Sequence, residues 1–321
     1  MPSAANLRRH FLPWDRPLAA QAAAWLALGW DGRGPLDLSA LLVVVPTRHA
    51  GRRLREALAG FAAEQGQAVF PPVTQTPDAL LAAGAAGPEV AGRLETLLAW
   101  TDLLREIDLS AFEVLLPVAP PVRTFSWAAG LAENFTRLQL QLAEAGLRLG
   151  DVAGRAGPDF PEAARWSQLA ELEARHDAGL AAIGRSSAAA ARAVFARAPA
   201  PPAGLQRVVL AAVPDPLPLA LTVVASWAET LPVDVLVFAP ESEAASFDAW
   251  GRPLAAAWER RPLLLPDFGS RVHVCADAPA QAERMLEAVR GLPAPDGWVA
   301  LGVADEELLP QLENGLARAG L

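Results

Sequence analysis

Arg48, Arg52 and Arg55 recur at i, i+4 and i+7 in the stretch LLVVVPTRHAGRRLREAL, residues 41–58, with Arg53 beside them and Thr47 just ahead. Guanidinium groups on one helical face suit a phosphodiester backbone, because each donates forked hydrogen bonds to phosphate oxygens. The apolar run Leu41 to Val45, stopped by Pro46, puts the start of that helix at the end of a strand. There the positive end of the helix dipole adds its own attraction for an anion. A solvated helix face after a buried strand is the plainer description of the same residues, and residue chemistry alone leaves both open.

A second candidate is Asp215, at the end of the apolar run Arg207 to Val213. A carboxylate there occupies the place of a Walker-B magnesium ligand. Pro216 follows it where a catalytic glutamate is required, so a turn or helix-capping aspartate is the competing description. The Gly-rich segment DGRGP, residues 31–35, precedes a strand instead of following one, which is the wrong order for a phosphate loop.

Several chemistries are excluded by composition. The 27 basic residues are all arginine. A P-loop needs its lysine on the β- and γ-phosphates, and Schiff-base catalysis needs a lysine amine. One cysteine, Cys275, forms no internal disulfide, and His10, His49, His176 and His273 are scattered without metal-ligand spacing. No cofactor is expected. A net charge of −9 argues against a uniformly basic nucleic-acid wrapper, while leaving room for a local basic surface. The longest apolar runs fall far short of the roughly 20 residues of a membrane helix, and the N-terminus has no signal-like core, so the chain reads as soluble and cytoplasmic.

The elements that must position these residues follow from hydrophobic period. A short strand or extended lead, His10 to Leu12, precedes a helix from about Leu18 to Leu28. The unalternated run Leu41 to Val45 predicts a strand covered on both faces, as in a parallel sheet. Thr47 caps the helix after it, about Arg48 to Gln65, and Thr76-Pro77 opens another. Residues 87–199 carry four or five helical patterns and no strand. Strand, helix and strand return over Arg207 to Val213, Leu217 to Glu229 and Val233 to Phe238, a β-α-β unit. After a Trp-containing connector, RVHVCA and WVALGVA read as two further strands around a helix, and the final helix is expected to end the chain inside a second sheet domain. Most of the ten tryptophans sit in apolar helical patterns and read as core, with Trp250 and Trp258 the ones expected at partial exposure.

Taken in order, LLVVVPTRHAGRRLREAL, FPPVTQTPDAL, VVLAAVPDPLPLALTVVASWAETLPVDVLVFAPE, FDAWGRPLAAAWERRPL and RVHVCADAPAQAERMLEAV resemble the N-terminal half of the AddB subunit of AddAB helicase-nucleases, itself similar to RecC and UvrD-type helicases. The resemblance implies an α/β, RecA-like (P-loop NTPase-like) parallel sheet domain over residues 1–86 and 200–245. It implies a helical insertion over 87–199, a connector over 246–269, and the beginning of a second RecA-like domain over 270–321. Pro46, Thr47 and Arg48 then resemble the DNA-facing turn, with Arg52, Arg53 and Arg55 beyond it, and Asp215 a degenerate Walker-B position. HFLPWDRPLAAQAAAWLA stands at the Walker-A position without its Gly-Lys-Ser/Thr. The implied role is a non-catalytic helicase-like module that holds or guides tailed or forked duplex DNA beside an AddA-like motor subunit in double-strand-break repair. The nuclease motif of full-length relatives is not in this sequence. The alternatives are a protein-protein scaffold without DNA affinity and an unrelated α/β enzyme using Asp215.

Overall fold

The computed structural model describes residues 6–157, 159–262, 266–293 and 299–320. They divide into two compact units, residues 1–259 and 260–321.

In the first unit the chain runs β1 (Leu7–Leu12), α1 (Leu18–Leu26), β2 (Leu36–Asp37), β3 (Leu41–Val44), α2 (Arg48–Ala63), β4 (Val69–Phe70), β5 (Val73–Gln75) and α3 (Pro77–Gly84). Five helices follow, α4 (Arg93–Glu106), α5 (Phe125–Glu144), α6 (Leu149–Ala156), α7 (Ala163–Ala182) and α8 (Ala188–Arg197). The chain then returns through β6 (Arg207–Ala211), α9 (Pro218–Trp227) and β7 (Val233–Phe238), and reaches the short helix α10 (Ala255–Trp258).

Five strands form one parallel sheet in the order β1-β7-β6-β3-β5, and β2 pairs with β4 in a small parallel sheet of its own. The main sheet is covered on both faces, which explains its unalternated apolar strands. Val43, Val45, Val209, Ala211 and Leu236 pack under α1 and α2. Leu42, Val44, Val208, Leu210, Val233, Val235 and Val237 pack under α3, α8 and α9. The chain is thus an α/β protein with a parallel, doubly wound sheet, compatible with a Rossmann or RecA-like architecture.

Helices α4 to α7 build a separate core around Trp100, Leu104, Phe112, Phe135, Leu149 and Leu172. A chain of buried polar groups crosses it. Trp100 Nε1 donates to Gln139 Oε1 at 3.1 Å, and Gln139 Nε2 donates to Glu173 Oε1 at 3.1 Å. The backbone N–H of Leu149 donates to the other Glu173 oxygen at 3.1 Å. His176 lies flat on Trp100, ring centroids 4.2 Å apart and planes 8° from parallel.

The second unit holds α11 (Phe268–Arg271), α12 (Ala278–Arg290) and α13 (Leu309–Ala319), with α12 and α13 packed through Ala282, Met285, Leu308, Leu312 and Leu316. The expected strands over RVHVCA and WVALGVA are absent among its described residues; Trp298 lies outside them. Strand identity depends on a hydrogen-bonded neighbour, and these segments have none among the described residues. Val272 has extended dihedrals, φ −118° and ψ 118°, yet Val274 is 98% exposed and pairs with no described strand.

Candidate nucleic-acid interface

The site is built at the C-terminal edge of the main sheet. Pro46 ends β3, and Thr47 turns the chain into α2 with its side chain accepting from Ala50 N at 3.0 Å. Gly51, in the second turn, lets α2 lie close against the sheet. A Cβ there would stand 3.1 Å from Thr74 Oγ1 and 3.3 Å from Val45 Cγ2. Leu54, Leu58 and Ala62 bury the inward face of the helix, so the arginines between them point to solvent.

All four predicted arginines are exposed, but they are not equivalent. Arg52 Nε donates to Glu56 at 2.8 Å, and Arg53 approaches the other oxygen of the same carboxylate at 3.3 Å. The hydrogen bond from Arg52, with Arg53 behind it, holds the Glu56 carboxyl below the usual carboxylate range. Arg55 donates to Thr74 Oγ1, tying α2 to β5. Arg48 and His49 have no hydrogen-bond or ion-pair partner among the described residues. Of the four candidate arginines, Arg48 alone is without a side-chain partner among the described residues, while Arg52, Arg53 and Arg55 make exposed contacts to Glu56 and Thr74.

Arg48 and His49 stand at the first two positions of α2, and the first turn holds no acidic residue. Positive charge at the positive end of a helix dipole is unfavourable by about 0.3–1 kcal/mol, and a bound anion reverses the sign of that term. The exposed N–H groups of the same turn point outward with the dipole.

Beside this junction lies the crevice of the doubly wound sheet. Helix α2 leaves β3 toward one face and α9 leaves β6 toward the other, so the two connections diverge. The opening has a volume of about 430 Å³ and is lined by Pro46, Thr76, Asp78, Glu144, Pro214 and Asp215. Its ionisable lining is Glu144, Asp215 and an Asp78 already paired with Arg192 at 2.8 Å, which leaves it net acidic. Asp215 is exposed at this wall. It does not cap α9, whose N-cap is Leu217 with no side-chain cap bond. Among the described residues no three His, Cys, Asp or Glu side chains converge to hold a metal ion. The backbone just ahead is strained: Ala212 has φ +49°, a cost of roughly 1–3 kcal/mol for a residue with a Cβ.

Two features escape the sequence reading. Trp14 is 54% exposed at the end of β1, and its Nε1 donates to Phe238 O at 2.7 Å. It follows β1 on the same C-terminal edge of the sheet that Arg48 follows from β3. Its only sequence signal is its place between Pro13 and Asp15 immediately after a strand. The other is Asp234, buried in β7 and clasped by His10 Nε2 and Arg207 Nε, each at 2.6 Å. That cluster lies toward the opposite end of the sheet from Arg48. Trp250 and Trp258 are half-buried, as expected.

No helix of the described residues is long and apolar enough to cross a membrane. No protein-family model matches the chain, and no curated protein matches it.

Proposed function

We infer that this chain is a non-catalytic, helicase-like module that holds or guides a DNA strand beside an active motor subunit. The observation that carries the reading is the β3–α2 junction, where an unpaired Arg48 and His49 crown a Thr-capped helix start at the C-terminal edge of a parallel sheet. Phosphate contacts of this kind position a strand without reading its bases. The acidic crevice next door, the absence of lysine and the Pro216 that follows Asp215 support a module that does not hydrolyse nucleotide.

The finer assignment follows the ordered resemblance to AddB. The sheet unit corresponds to a RecA-like first domain, α4 to α8 to its helical insertion, and residues from about 270 to the start of a second such domain. The partner in this reading is an AddA-like motor subunit, and the biological setting is end processing at double-strand breaks.

The test is fluorescence anisotropy with a duplex bearing a single-stranded tail, across a salt series, beside an Arg48→Ala variant. Salt-sensitive binding that the variant weakens supports the reading. A folded protein that fails to bind at low salt favours instead the scaffold reading, toward which the exposed Val272 and Val274 point.

A further inference from the structure

The helices between β5 and β6 enclose a groove that the DNA reading does not use. Two adjoining cavities of about 250 and 240 Å³ share Arg93, Thr136 and Leu140 and run along α5, beside the first turns of α4 and α8. The two helices enter side by side, because Val90 and Ser186 form a parallel bridge and Ala91 N donates to Ser186 O at 2.9 Å.

Three kinds of group face this groove without a partner. Arg93 opens α4 and Arg137 lies on α5, and neither guanidinium has a hydrogen-bond or ion-pair partner among the described residues. Helix α8 has no acidic residue in its first turn, and Ser187 satisfies Ala190 N at 3.3 Å. The N–H groups of Ala188 and Ala189, which line the groove, have no intrahelical acceptor. Finally, two hydroxyls are orphaned. Thr96 lines the groove at 8% exposure with no hydroxyl partner among the described residues, while Thr136 Oγ1, also unpaired, is sealed beneath the groove wall. Buried polar groups are almost always paired, so an unpaired hydroxyl against a cationic groove marks a missing acceptor.

We propose that this groove binds a phosphate-class anion between Arg93 and the first turn of α8, with Arg137 at its outer end. The size fits a small ligand: each cavity is below the roughly 300–1,000 Å³ of sites for drug-sized molecules. Glu133 lies at the outer end beside Arg137 and opposes binding there. Arg192 reaches the inner end but is already paired with Asp78 at 2.8 Å. The anion is therefore held chiefly by Arg93, Arg137, the α8 N–H groups and the Thr96 hydroxyl. This site stands apart from the β3–α2 junction and does not depend on it.

Isothermal titration calorimetry of the full chain with sodium pyrophosphate, at ionic strength fixed with chloride, tests the proposal. One saturable site is expected. Arg93→Gln and Arg137→Gln each weaken it about tenfold or more, as loss of a charged hydrogen bond does. Thr96→Val weakens it several-fold, and Glu133→Gln tightens it. Arg93 and Arg137 are exposed, so their variants keep the wild-type circular dichroism. A short oligothymidylate that competes with pyrophosphate, and is itself weakened by Arg93→Gln, identifies the phosphate as that of a nucleic-acid backbone. If it does not compete, the ligand is a free anion. Absence of pyrophosphate binding, or binding unchanged in both arginine variants, overturns the proposal.

Discussion

Asp234 and its two partners give an asymmetric prediction about what holds the sheet. The carboxylate side chain is 5% exposed in β7, while Arg207 from β6 is 40% exposed and His10 from β1 is 32% exposed. Arg207→Ala leaves a buried carboxylate with one remaining partner, and breaking a buried pair from that side costs about 3–5 kcal/mol. It also removes the guanidinium that sits 4.9 Å from the centre of the Trp25 ring, worth about 0.5–1 kcal/mol more. Asp234→Leu leaves only an arginine and a histidine that already reach water, and puts an apolar side chain into an otherwise apolar strand. Its cost is the two charged hydrogen bonds, discounted for solvent screening, or about 1–3 kcal/mol. The combination Arg207→Ala with Asp234→Leu should accordingly be more stable than Arg207→Ala alone. Urea unfolding at pH 7, followed by far-ultraviolet circular dichroism through the transition of the first unit, measures all three. Two results would refute the reasoning: an Asp234→Leu protein less stable than Arg207→Ala, or a double variant whose loss equals the sum of the two.

Thr47→Ala removes the cap of α2 and should cost about 1 kcal/mol in the same unfolding assay, with a proportionate rise in amide exchange in the first turn of the helix. His176→Phe keeps the ring stacked on Trp100 and deletes two buried ring nitrogens that have no hydrogen-bond partner; Nδ1 lies 3.4 Å from Asp177 Oδ1 but is poorly aligned. It should be neutral or stabilising by about 1–2 kcal/mol, and a marked loss of stability would show that a ring nitrogen is used. Asp177 supplies a pH dependence. Burial opposes its ionisation, yet the Arg148 guanidinium, bonded to Oδ2, holds its carboxyl below the ordinary aspartate value. Its contribution is present above the unfolded aspartate pKa of about 3.9 and lost as pH falls through the lower folded value. Acid titration of wild type and Asp177→Asn should therefore converge below about pH 4, and curves that stay parallel would remove Asp177 as the cause.

What the sequence disclosed and what it hid differ in physical range. The strands Leu41 to Val44 and Val233 to Phe238, and the Thr-capped starts at Arg48 and Pro77, rest on local signals: an unalternated apolar run, a proline stop, a hydroxyl one residue ahead of a helix. Strand order is nonlocal. Nothing near Leu7–Leu12 indicates that it pairs with β7, more than 200 residues away, to complete the sheet. The Asp234 cluster had a faint signal in the lone acid of VDVLVF, but its partners come from two other strands. The engagement of Arg52 and Arg53 by Glu56 was readable from i+4 and i+3 spacing, and with Arg55 on Thr74 it leaves Arg48 the one candidate arginine without a side-chain partner among the described residues. RVHVCA had the right alternation for a strand and lacks, among the described residues, the neighbour that would make it one.

Binding of tailed duplex DNA as a function of salt tests the central claim most directly. Arg48, with partial help from Arg52, amounts to one or two phosphate contacts. At about −0.7 per phosphate for a single strand, affinity should fall about 3- to 7-fold between 50 and 200 mM salt. Arg48→Ala should weaken binding at low salt and flatten the logarithmic slope by about 0.7. A folded chain that shows no binding at low salt, or a slope unchanged in Arg48→Ala, would contradict a strand-guiding role for the β3–α2 junction.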